Sequence, residues 1–489
     1  MARHTDVPLD ILAVDPSSPL PAYRQLCDAI RSAILERKLR SGLRLPASRL
    51  VAKDLSISRN TVISAYETLI SEGYLETRRG SGTFVASLPE SAMHIRNSQT
   101  VSTHPGLSRR GMVMGKQPLH MSQSPQVAFY PGYPDLRQFP FAVWSRLVKA
   151  NVKHASRDLI GYSMIGGHPR LKSAIAHYLG AARGIECSPE QVIIVTGTQA
   201  ALDLVARMLL DPGDHVWIEE PGYEGAHGAF VGAGGVPVPL KVDGGGWQFP
   251  RDAMPPRAIF VTPSCQWPTG AVMTLEERLT LLKIAAAQDC WIVEDDYDAE
   301  YRFRGRSIPA MQGLDRSGRV IYLGTFAKTI FPSLRIGFIV VPEKLVASFT
   351  HAVNITGQHP PQLMQLTLAD FLEQGSLSAH LRRTRSLYRA RKEYFIEQVE
   401  AHLSPWLTLA PSDAGIQMVA RFRGAFDDGD VKAAAMLRHV QFRRLSRLYR
   451  HSTPHQGMIC GYAASDEAEC RTAVRALQNT LHQLDSSAI

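Results

Sequence analysis

The first 70 residues carry apolar positions at helical spacing. A helix over residues 20–37 is predicted from five of them: Leu20, Tyr23, Leu26, Ile30 and Ile34. Two shorter helices follow, for which Ser48 and Ser58 are the predicted N-cap residues. Because only a short turn separates these two helices, the pattern predicts a helix-turn-helix motif.

The run that follows predicts a β-hairpin. Two β-prone stretches within residues 74–85 flank a turn with two glycines, and Arg78, Arg79 and Gly80 lie at its predicted tip. The third helix begins with groups that can reach phosphates and base edges in a major groove: Ser58, Arg59, Asn60 and Thr61. Residues 1–86 hold 12 Lys and Arg against 9 Asp and Glu. This small excess of positive charge does not by itself indicate DNA binding. It is equally compatible with a small helical domain whose basic hairpin is merely solvated.

From about residue 190 short apolar strands alternate with helices. Strands are predicted over residues 191–195, 215–219, 258–262, 290–294 and 319–323, and helices over residues 200–210 and 275–288. This alternation predicts a mainly parallel sheet that is covered on both faces. Ligands of such sheets collect at the carboxyl ends of the strands.

Residues 87–128 show no sustained period and predict a flexible, mildly basic linker. We therefore expect a head over residues 1–86, this linker, and a body over residues 129–489. A chain of 489 residues is too long for one core. A net charge of +9 favours a polyanionic partner without proving one.

Other features of the sequence indicate the cellular compartment of the protein. The six cysteines form no C-x-x-C pair and no cluster with zinc spacing, which fits a reduced cytoplasmic compartment and no metal site. The first ten residues do not resemble a signal peptide, and no apolar stretch is long enough to span a bilayer. We therefore expect a cytoplasmic protein without membrane contact.

Four polar runs follow predicted strands of the body: Thr196-Gly197-Thr198-Gln199, Glu219-Glu220-Pro221-Gly222-Tyr223, Glu294-Asp295-Asp296-Tyr297-Asp298-Ala299-Glu300, and Gly324-Thr325-Phe326-Ala327-Lys328-Thr329. The first can offer N–H groups at a helix start to a phosphate. Tyr223 can cover a flat ring or be a buried structural residue. The acidic run suggests a hard metal site, a single Asp facing a ring nitrogen, or a solvated loop.

Together these runs fit the chemistry of pyridoxal 5′-phosphate (PLP). Its aldehyde needs an amine that is neutral part of the time, and Lys328 lies among small and apolar residues. Its pyridine nitrogen needs a carboxylate, which Asp295 can supply. Its phosphate needs N–H groups, a hydroxyl and an Arg; Thr325 and Arg335 are close to Lys328 in the sequence.

The two halves of the chain resemble two known families. Residues 46–85 resemble the GntR winged-helix family in three motifs: Pro46-Ala47-Ser48-Arg49, Ser58-Arg59-Asn60-Thr61-Val62, and Gly80-Ser81-Gly82-Thr83-Phe84-Val85. The body resembles fold-type I PLP proteins of the aspartate aminotransferase group, including in Phe139-Pro140, Gly161-Tyr162, Gly166-Gly167 and Pro268-Thr269-Gly270. Head and body together resemble the MocR/GabR subfamily of GntR regulators.

The resemblance implies a multidomain fold. It consists of an N-terminal winged helix-turn-helix (α+β), an α/β fold-type I PLP-dependent transferase-like domain with a mainly parallel sheet, and a small α+β C-terminal subdomain over about residues 366–489. It also implies a homodimer, in which Tyr162 reaches the partner subunit's cofactor.

The resemblance further implies roles for individual residues. Lys328 would form the Schiff base with PLP, Asp295 would pair with the pyridine nitrogen, and Tyr297 would lie by the phenolic oxygen. Tyr223 would stack on the ring. The phosphate would be held by Gly197, Thr198, Gln199, Thr325 and Arg335. In the head, Arg49 would contact a DNA phosphate, and Arg59 and Thr61 would enter the groove.

The chain departs from true aminotransferases at several positions. Trp267 replaces an Asn that bonds the phenolic oxygen, and residues 455–462 lack the Arg that binds a substrate α-carboxylate. Arg421 and Arg423 stay candidates for that role. Cys265 and Gln417 stand where His is common. We therefore predict a regulator without efficient transamination.

An arginine-rich stretch over residues 436–450 has two interpretations. It predicts a solvated helix face in the small subdomain or a second DNA-contact patch.

The main hypothesis is a DNA-binding transcription regulator that senses an amine or amino-acid effector, or PLP itself. Two paired heads would then bind double-stranded operator DNA with two half-sites. One alternative is a working PLP-dependent aminotransferase with an appended DNA-binding head. Another is a DNA-binding protein whose body is a dimerisation scaffold without cofactor.

Overall fold

The computed structural model describes residues 12–78, 80–88, 106–116, 128–155, 159, 161, 166–250, 254–303 and 308–486. The chain forms two compact units, Met1–Gly106 and Leu107–Ile489. The boundaries of the predicted linker, residues 87–128, stay a prediction. Of its described residues, one stretch is the helix α4 (Arg109–Gly115), which belongs to the second unit.

The first unit contains the predicted helices and hairpin. Its elements are α1 (Ala22–Leu35), α2 (Ser48–Asp54), α3 (Arg59–Ser71), β1 (Leu75–Arg78) and β2 (Gly82–Val85). The two strands are antiparallel. The apolar stripe of α1 packs with Val62 and Leu69 of α3 in one buried core. This is a winged helix-turn-helix, as predicted.

The two predicted N-caps have different outcomes. Ser58 is the N-cap of α3, because its side chain accepts a hydrogen bond from the Thr61 amide. The prediction for Ser48 is wrong: Ala47 is the N-cap of α2, and no side chain caps that helix. Ser48 is its first helical residue, one position too late for its hydroxyl to serve as the cap.

The second unit is built on an eight-stranded sheet. Its strands are β3 (Val192–Val195), β4 (His215–Glu220), β5 (Val236–Asp243), β6 (Gly246–Gln248), β7 (Ala258–Val261), β8 (Trp291–Asp296), β9 (Val320–Thr325) and β10 (Gly337–Val340). The strand order is β3-β10-β9-β8-β7-β4-β5-β6. Strands β9, β8, β7, β4 and β5 are parallel, whereas β10 and β6 run against their neighbours. The predicted mainly parallel sheet is therefore confirmed.

Helices cover this sheet and support a second one. They are α5 (Phe141–Lys153), α6 (Pro169–Arg183), α7 (Thr198–Leu209), α8 (Glu224–Gly232), α9 (Leu275–Ala287), α10 (Met311–Leu314), α11 (Val346–Thr356), α12 (Gln362–Glu373), α13 (Ser376–Leu403), α14 (Asp428–Met436) and α15 (Glu467–Ser486). Strand β3, for example, is buried along its whole length. Such strands read as continuous apolar runs because both faces are covered.

The small C-terminal sheet is antiparallel. It contains β11 (Leu407–Leu409), β12 (Gln417–Phe422), β13 (Arg443–Arg444) and β14 (Gly457–Gly461), in the order β11-β12-β14-β13. The helix predicted over residues 436–450 is wrong, because α14 ends at Met436. Of the arginines that follow, Arg443 and Arg444 belong to β13 and Arg447 lies in a 3₁₀ turn. Pairing with β14 in the tertiary structure overrides the local pattern there.

Two negative findings concern the described residues only. Within those ranges no helix is both long and apolar enough to cross a membrane. No group of three or more His, Cys, Asp or Glu side chains in the same part of the chain could hold a metal ion.

Candidate cofactor pocket and DNA-binding surface

A cavity of about 280 Å³ lies at the carboxyl ends of the strands of the large sheet. Its described lining residues are Tyr130, Pro131, Gly132, Tyr133, Gly197, Thr198, Gln199, Tyr223, Thr262, Trp267, Asp295, Tyr297, Thr325, Ala327, Lys328, Pro332, Arg335 and Arg443. The four polar runs singled out in the sequence therefore meet in one place. They do so because strands that run in the same direction end at the same edge of the sheet.

Lys328 follows β9 and points into this cavity among aromatic rings. Its Nζ lies 4.0 Å from the centre of the Tyr297 ring and 5.4 Å from the Trp267 ring. Burial lowers the pKa of the Lys328 amine, while the nearby carboxylate of Asp298 opposes that shift. The amine is thus neutral more often than a surface lysine.

Asp295 lies near the end of β8 and is 4 % exposed. Burial raises the pKa of its carboxyl to about 7, and the neighbouring Asp296 adds to the shift. Among the described residues no group donates a hydrogen bond to its Oδ1. A buried oxygen without a hydrogen-bond partner costs free energy, so this position is suited to a ligand that donates a hydrogen bond.

Tyr297 and Cys265 form a neighbouring pair. The Tyr297 hydroxyl donates to Sγ of Cys265 over 3.6 Å, and burial raises the pKa of that hydroxyl well above its ordinary value. Trp267, which replaces the expected Asn, is 5 % exposed, and its ring is edge-on to that of Tyr297. This part of the wall is therefore apolar where aminotransferases place an amide.

Another part of the cavity lining, around Gly197 and Arg335, can hold an anion. Gly197 precedes the first turn of α7 with φ +92°, and a Cβ there would lie 3.6 Å from Cζ of Arg335. A side chain at this position would crowd the space between the guanidinium and the helix start. Thr198 begins α7, and Thr325 ends β9. Free N–H groups of a helix start and an Arg together form a phosphate site.

Tyr223 lies directly before α8. Its hydroxyl donates to Oε1 of Gln199 over 3.4 Å, and Nε2 of Gln199 donates to the Gly225 carbonyl. Burial raises the pKa of Tyr223 to about 12, so the phenol is neutral. Gln199 therefore holds the Tyr223 ring at the wall of the cavity.

The lining residues that were not among the predicted site residues include three with polar side chains that the sequence analysis had not connected with the cofactor: Tyr130, Tyr133 and Arg443. Arg443 comes from β13, pairs with the Glu224 carboxylate, and has its Cζ 5.4 Å from the Trp267 ring. The sequence alone did not distinguish Arg443 from the other arginines of residues 436–450. Arg421 and Arg423, the earlier candidates, are exposed and are not among the described residues that line the cavity. Tyr162 lies outside the described residues.

The candidate DNA-binding groups of the head lie on its surface. Arg49, Ser58, Arg59 and Asn60 are exposed, and Thr61 is half-buried. The Ser58 and Thr61 hydroxyls also bond each other over 2.8 Å.

The hairpin contributes a second part of this surface. Arg78 is exposed at the end of β1, pairs with Glu76 over 2.7 Å, and has its Cζ 4.5 Å from the Phe84 ring. Gly80 forms the turn with φ +71°. Arg44, which the sequence did not single out, is exposed beside Gly82. Arg79 lies outside the described residues.

Comparisons with known families cover both units. Residues 22–85 match the family "Bacterial regulatory proteins, gntR family", and residues 133–477 match "Aminotransferase class I and II". The chain is 52% identical to the probable rhizopine catabolism regulatory protein MocR of Rhizobium meliloti, over 98% of this chain and 97% of that protein. It is 28% identical to the pyridoxine biosynthesis transcriptional regulator PdxR of Corynebacterium glutamicum, over 94% and 96% respectively.

A solved structure has the same fold as the body. LysN, an α-aminoadipate aminotransferase of Thermus thermophilus complexed with N-(5′-phosphopyridoxyl)-L-leucine, matches with a TM-score of 0.68 and 26% identity. The match covers 74% of this chain and 93% of LysN. The chain therefore belongs to the MocR/GabR-type transcription regulators of the GntR family, in which a winged helix-turn-helix head is joined to an aminotransferase-like body.

Proposed function

We propose that this regulator binds PLP in the body and double-stranded operator DNA through the head. The observation that carries the first part is the pairing of two groups in one cavity. Asp295 offers a buried carboxylate oxygen without a partner, and Lys328 offers an amine whose pKa is lowered by burial. A pyridine nitrogen and an aldehyde are the two groups of PLP that need these partners.

The remaining residues of the cavity fit the rest of the cofactor. The space beside Gly197 and Arg335, which a Cβ would fill, suits the phosphate, with Thr198, Gln199 and Thr325 beside it. Tyr223 would cover the ring, and the Tyr297 hydroxyl would lie by the phenolic oxygen. When bound, PLP supplies an aldehyde carbon that condenses with a primary amine with loss of water.

The residues of the chain prepare that chemistry. Because burial raises its pKa to about 7, Asp295 carries a proton part of the time near neutral pH and could share it with the pyridine nitrogen of the cofactor. Lys328 is kept partly neutral by burial, so its nitrogen has a lone pair available. The Trp267 and Tyr297 rings flank the amine. Arg335 neutralises phosphate charge.

The effector is proposed to be an amine, which would exchange with the Lys328 amine, or PLP itself. The PdxR name, which refers to pyridoxine biosynthesis, supports PLP as a signal of its own. In either case the ligand would favour one of two states of the regulator, because only differential binding can shift an equilibrium. We further propose a homodimer, in which Tyr162 reaches the partner subunit's cofactor and two heads bind two half-sites.

The head is proposed to bind DNA through α3 and the hairpin. Arg59, Asn60 and Thr61 would enter the major groove, with Ser58 beside them. Contacts to phosphates are assigned to Arg49, Arg78, Arg79 and the Gly80 backbone. The exposure of the described members of this set supports the proposal, since solvated cations and amides are the groups that reach phosphates and base edges.

We propose that the body does not transaminate efficiently. Strand β14 reads Gly-Met-Ile-Cys-Gly and carries no Arg for a substrate carboxylate, and the apolar Trp267 replaces the usual Asn. Multiple turnovers with a panel of amino donors would contradict this part.

Replacing Lys328 tests the PLP assignment. The wild-type chain is expected to gain visible absorbance on addition of PLP, and Lys328→Ala is expected to lose it, because the described residues that line the cavity include no other lysine. Lys344→Ala, an exposed lysine in the same unit, is the matched control and is expected to keep the absorbance. A wild-type protein that stays colourless would favour the scaffold alternative. An unchanged Lys328→Ala spectrum would assign the amine elsewhere.

A further inference from the structure

Another cavity of the body, of about 390 Å³, is distinct from the cofactor pocket. Its walls come from α6, from the segment after β8 and from α13. The described lining residues are Tyr178, Ala182, Arg183, Ala299, Glu300, Arg302, Ser378, Leu381, Arg382 and Arg385. None of them is among the described residues that line the cofactor pocket. The proposed PLP site therefore does not account for them.

Arginine dominates the charge of this cavity, which we call the arginine cavity. Four of its described lining residues are arginines, and one, Glu300, is a carboxylate. Arg183 is balanced, because its Nε donates to Oδ2 of Asp296 over 2.6 Å. Within the described part of the chain, neither Arg382 nor Arg385 forms an ion pair with a carboxylate. Two guanidinium groups of the lining are thus without a counter-charge of their own.

These two guanidinium groups lie on one face of α13. Arg382 and Arg385 are three residues apart in this helix, and side chains at that spacing are neighbours. Nε of Arg385 donates to the Glu300 carbonyl over 2.9 Å, which holds the half-buried guanidinium at the wall of the cavity. Like charges so close together repel each other, and a bound anion would remove that repulsion.

The single carboxyl group of the lining does not balance this pair. The Tyr178 hydroxyl donates to Oε1 of Glu300 over 2.6 Å. Burial raises the pKa of Glu300, and the nearby Asp296 adds to the shift, so the carboxyl retains a proton to higher pH than an exposed glutamate. Glu300 offsets at most one of the two guanidinium charges, and the lining keeps a positive charge.

A phosphate ester matches this lining in charge. Each guanidinium group can donate two parallel hydrogen bonds to phosphate oxygens. A phosphate monoester carries about two negative charges near neutral pH, whereas a carboxylate carries only one. The Ser378 hydroxyl, which also lines the cavity, can donate to a further oxygen. One ester would therefore compensate both Arg382 and Arg385.

The size and the apolar part of the cavity indicate an organic group on the phosphate. The arginine cavity is larger than the cofactor pocket, which measures about 280 Å³. The buried Leu381 and the small Ala182 and Ala299 line it as well. A duplex, by contrast, presents its phosphates on a convex surface, and it would bring many charges to a cavity that also contains Glu300.

We infer that the arginine cavity binds a small phosphate ester and is a second ligand site of the body. This inference does not depend on the proposed PLP site, because the two sites share none of their described lining residues. It adds a phosphorylated small molecule to the ligands that can act on the regulator. Such a ligand would alter DNA binding only if its affinity differed between two states of the protein.

Calorimetric titration of the full chain with glycerol 3-phosphate, glycerate and glycerol tests the inference. The protein is loaded with PLP and freed of excess PLP, so that the phosphate site at Arg335 is occupied. The ester is expected to bind once per chain and about tenfold more tightly than glycerate, because it carries more charge. Glycerol is expected not to bind. Absence of ester binding, or equal affinities for the ester and glycerate, would overturn the inference.

Inorganic phosphate distinguishes a free ion from an ester. It has the charge of the ester without its organic group, and we expect it to bind more weakly than glycerol 3-phosphate. Equal affinities would mean that the cavity recognises the ion alone, and the assignment to an ester would be wrong.

Arg382→Gln is the decisive variant, because Arg382 is exposed and its replacement leaves the core unchanged. The affinity for glycerol 3-phosphate is expected to fall about tenfold with the loss of charged hydrogen bonds. Arg389→Gln is the matched control, since Arg389 is an exposed arginine of α13 that is not among the described lining residues. It is expected to keep the wild-type affinity. Equal losses in both variants would assign the effect to net charge and overturn the inference.

Duplex DNA of random sequence tests the other source of phosphate groups. Arg382→Gln is expected to bind this duplex as tightly as the wild-type chain does. Weaker DNA binding together with unchanged binding of glycerol 3-phosphate would assign Arg382 to DNA and overturn the inference.

Two further variants, measured without PLP, separate the arginine cavity from the cofactor pocket. Arg385→Gln is expected to lose binding of glycerol 3-phosphate, whereas Arg335→Gln, in the cofactor pocket, is expected to retain it. The reverse result would place the ester at the cofactor phosphate site and overturn the inference. A wild-type chain that gains no absorbance with PLP would refute the proposed function, but it would not affect this comparison.

Discussion

The polar groups of the two candidate binding sites differ in their exposure to water and in their hydrogen-bond partners. Arg59 and Asn60 of the head are exposed to water, whereas Asp295 of the body is 4 % exposed and has an unpartnered oxygen. The groups of the head are hydrated until DNA replaces the water. The unpartnered oxygen of Asp295 bears a desolvation penalty, which a ligand that donates a hydrogen bond to it would relieve.

This difference indicates where a signal can enter the molecule. A ligand that binds only the folded body stabilises it by mass action, and the gain is larger where an unsatisfied group is relieved. The exposed polar groups of the head have no comparable desolvation penalty for a ligand to relieve. The affinity of the head for DNA therefore depends on the contacts that it makes directly with DNA. The expected effects of mutation differ accordingly, and they decrease in the order given below.

The largest effect is expected from Asp295 in the PLP-free protein. Burial raises the pKa of Asp295 from 3.8 to about 7, so the folded state retains a proton that the unfolded state releases between these values. The stability from this proton is complete below pH 4 and is lost as the pH rises through 7. Between pH 5 and pH 8 wild-type protein is expected to lose about 3 kcal/mol relative to Asp295→Asn.

Urea unfolding followed by tryptophan fluorescence measures this loss. All six tryptophans lie in residues 129–489, so the signal reports on the body alone. Asp211→Asn, an exposed carboxylate in a turn, is the control and is expected to follow the wild-type pH curve. If the free energies of unfolding of wild type and Asp295→Asn changed in parallel with pH, burial would not raise the pKa of this carboxyl. The contrast between the two sites would then be weaker.

An intermediate effect is expected from Arg59 in the head. Arg59→Ala is expected to weaken binding to a DNA site selected in vitro by about 2 kcal/mol, or roughly 30-fold, because one contact to a base edge is lost. The absorbance of bound PLP and the unfolding of the body should not change. Arg24→Ala removes an exposed charge from α1, outside the helix-turn-helix, and serves as the control. Equal losses in both variants would assign the effect to net charge and not to groove contact.

The sequence predicted the head better than the walls of the pocket. The groups at the start of α3 are contiguous, so one amphipathic pattern and one cap placed all of them at once. Lys328 and Asp295 were also found, because each lies close to the carboxyl end of an apolar strand. Arg443 was assigned to a helix face, since a strand of two residues has no period of its own and forms only by pairing with β14.

Tyr130 was missed for a similar reason. It has no local pattern, and the residue before it, Phe129, pairs with Gly461 of the small sheet, far away in the sequence. Long-range pairing of this kind leaves no mark in a short window of sequence. The two serines at the predicted caps show that a short sequence pattern can also be wrong by one residue. Ser58 is an N-cap, whereas Ser48 lies one position after the N-cap of its helix.

The smallest expected effect separates these two serines. Ser58→Ala removes the acceptor for the Thr61 amide, 3.0 Å away, at the start of α3. The loss of such a cap costs about 1 kcal/mol. Amides of residues 59–71 in the full chain are then expected to exchange with deuterium about fivefold faster, because local opening becomes that much more frequent.

Ser48→Ala is the matched comparison, since Ser48 is the first residue of α2 and its side chain makes no cap. Alanine is also a better helix former than serine, so exchange in residues 48–54 is expected to be unchanged or slower. Faster exchange in Ser48→Ala would instead support the prediction from the sequence that Ser48 is an N-cap. Unchanged exchange in Ser58→Ala would mean that the N-terminal end of α3 is fixed by the buried Val62 and Leu69 and not by its own first turn.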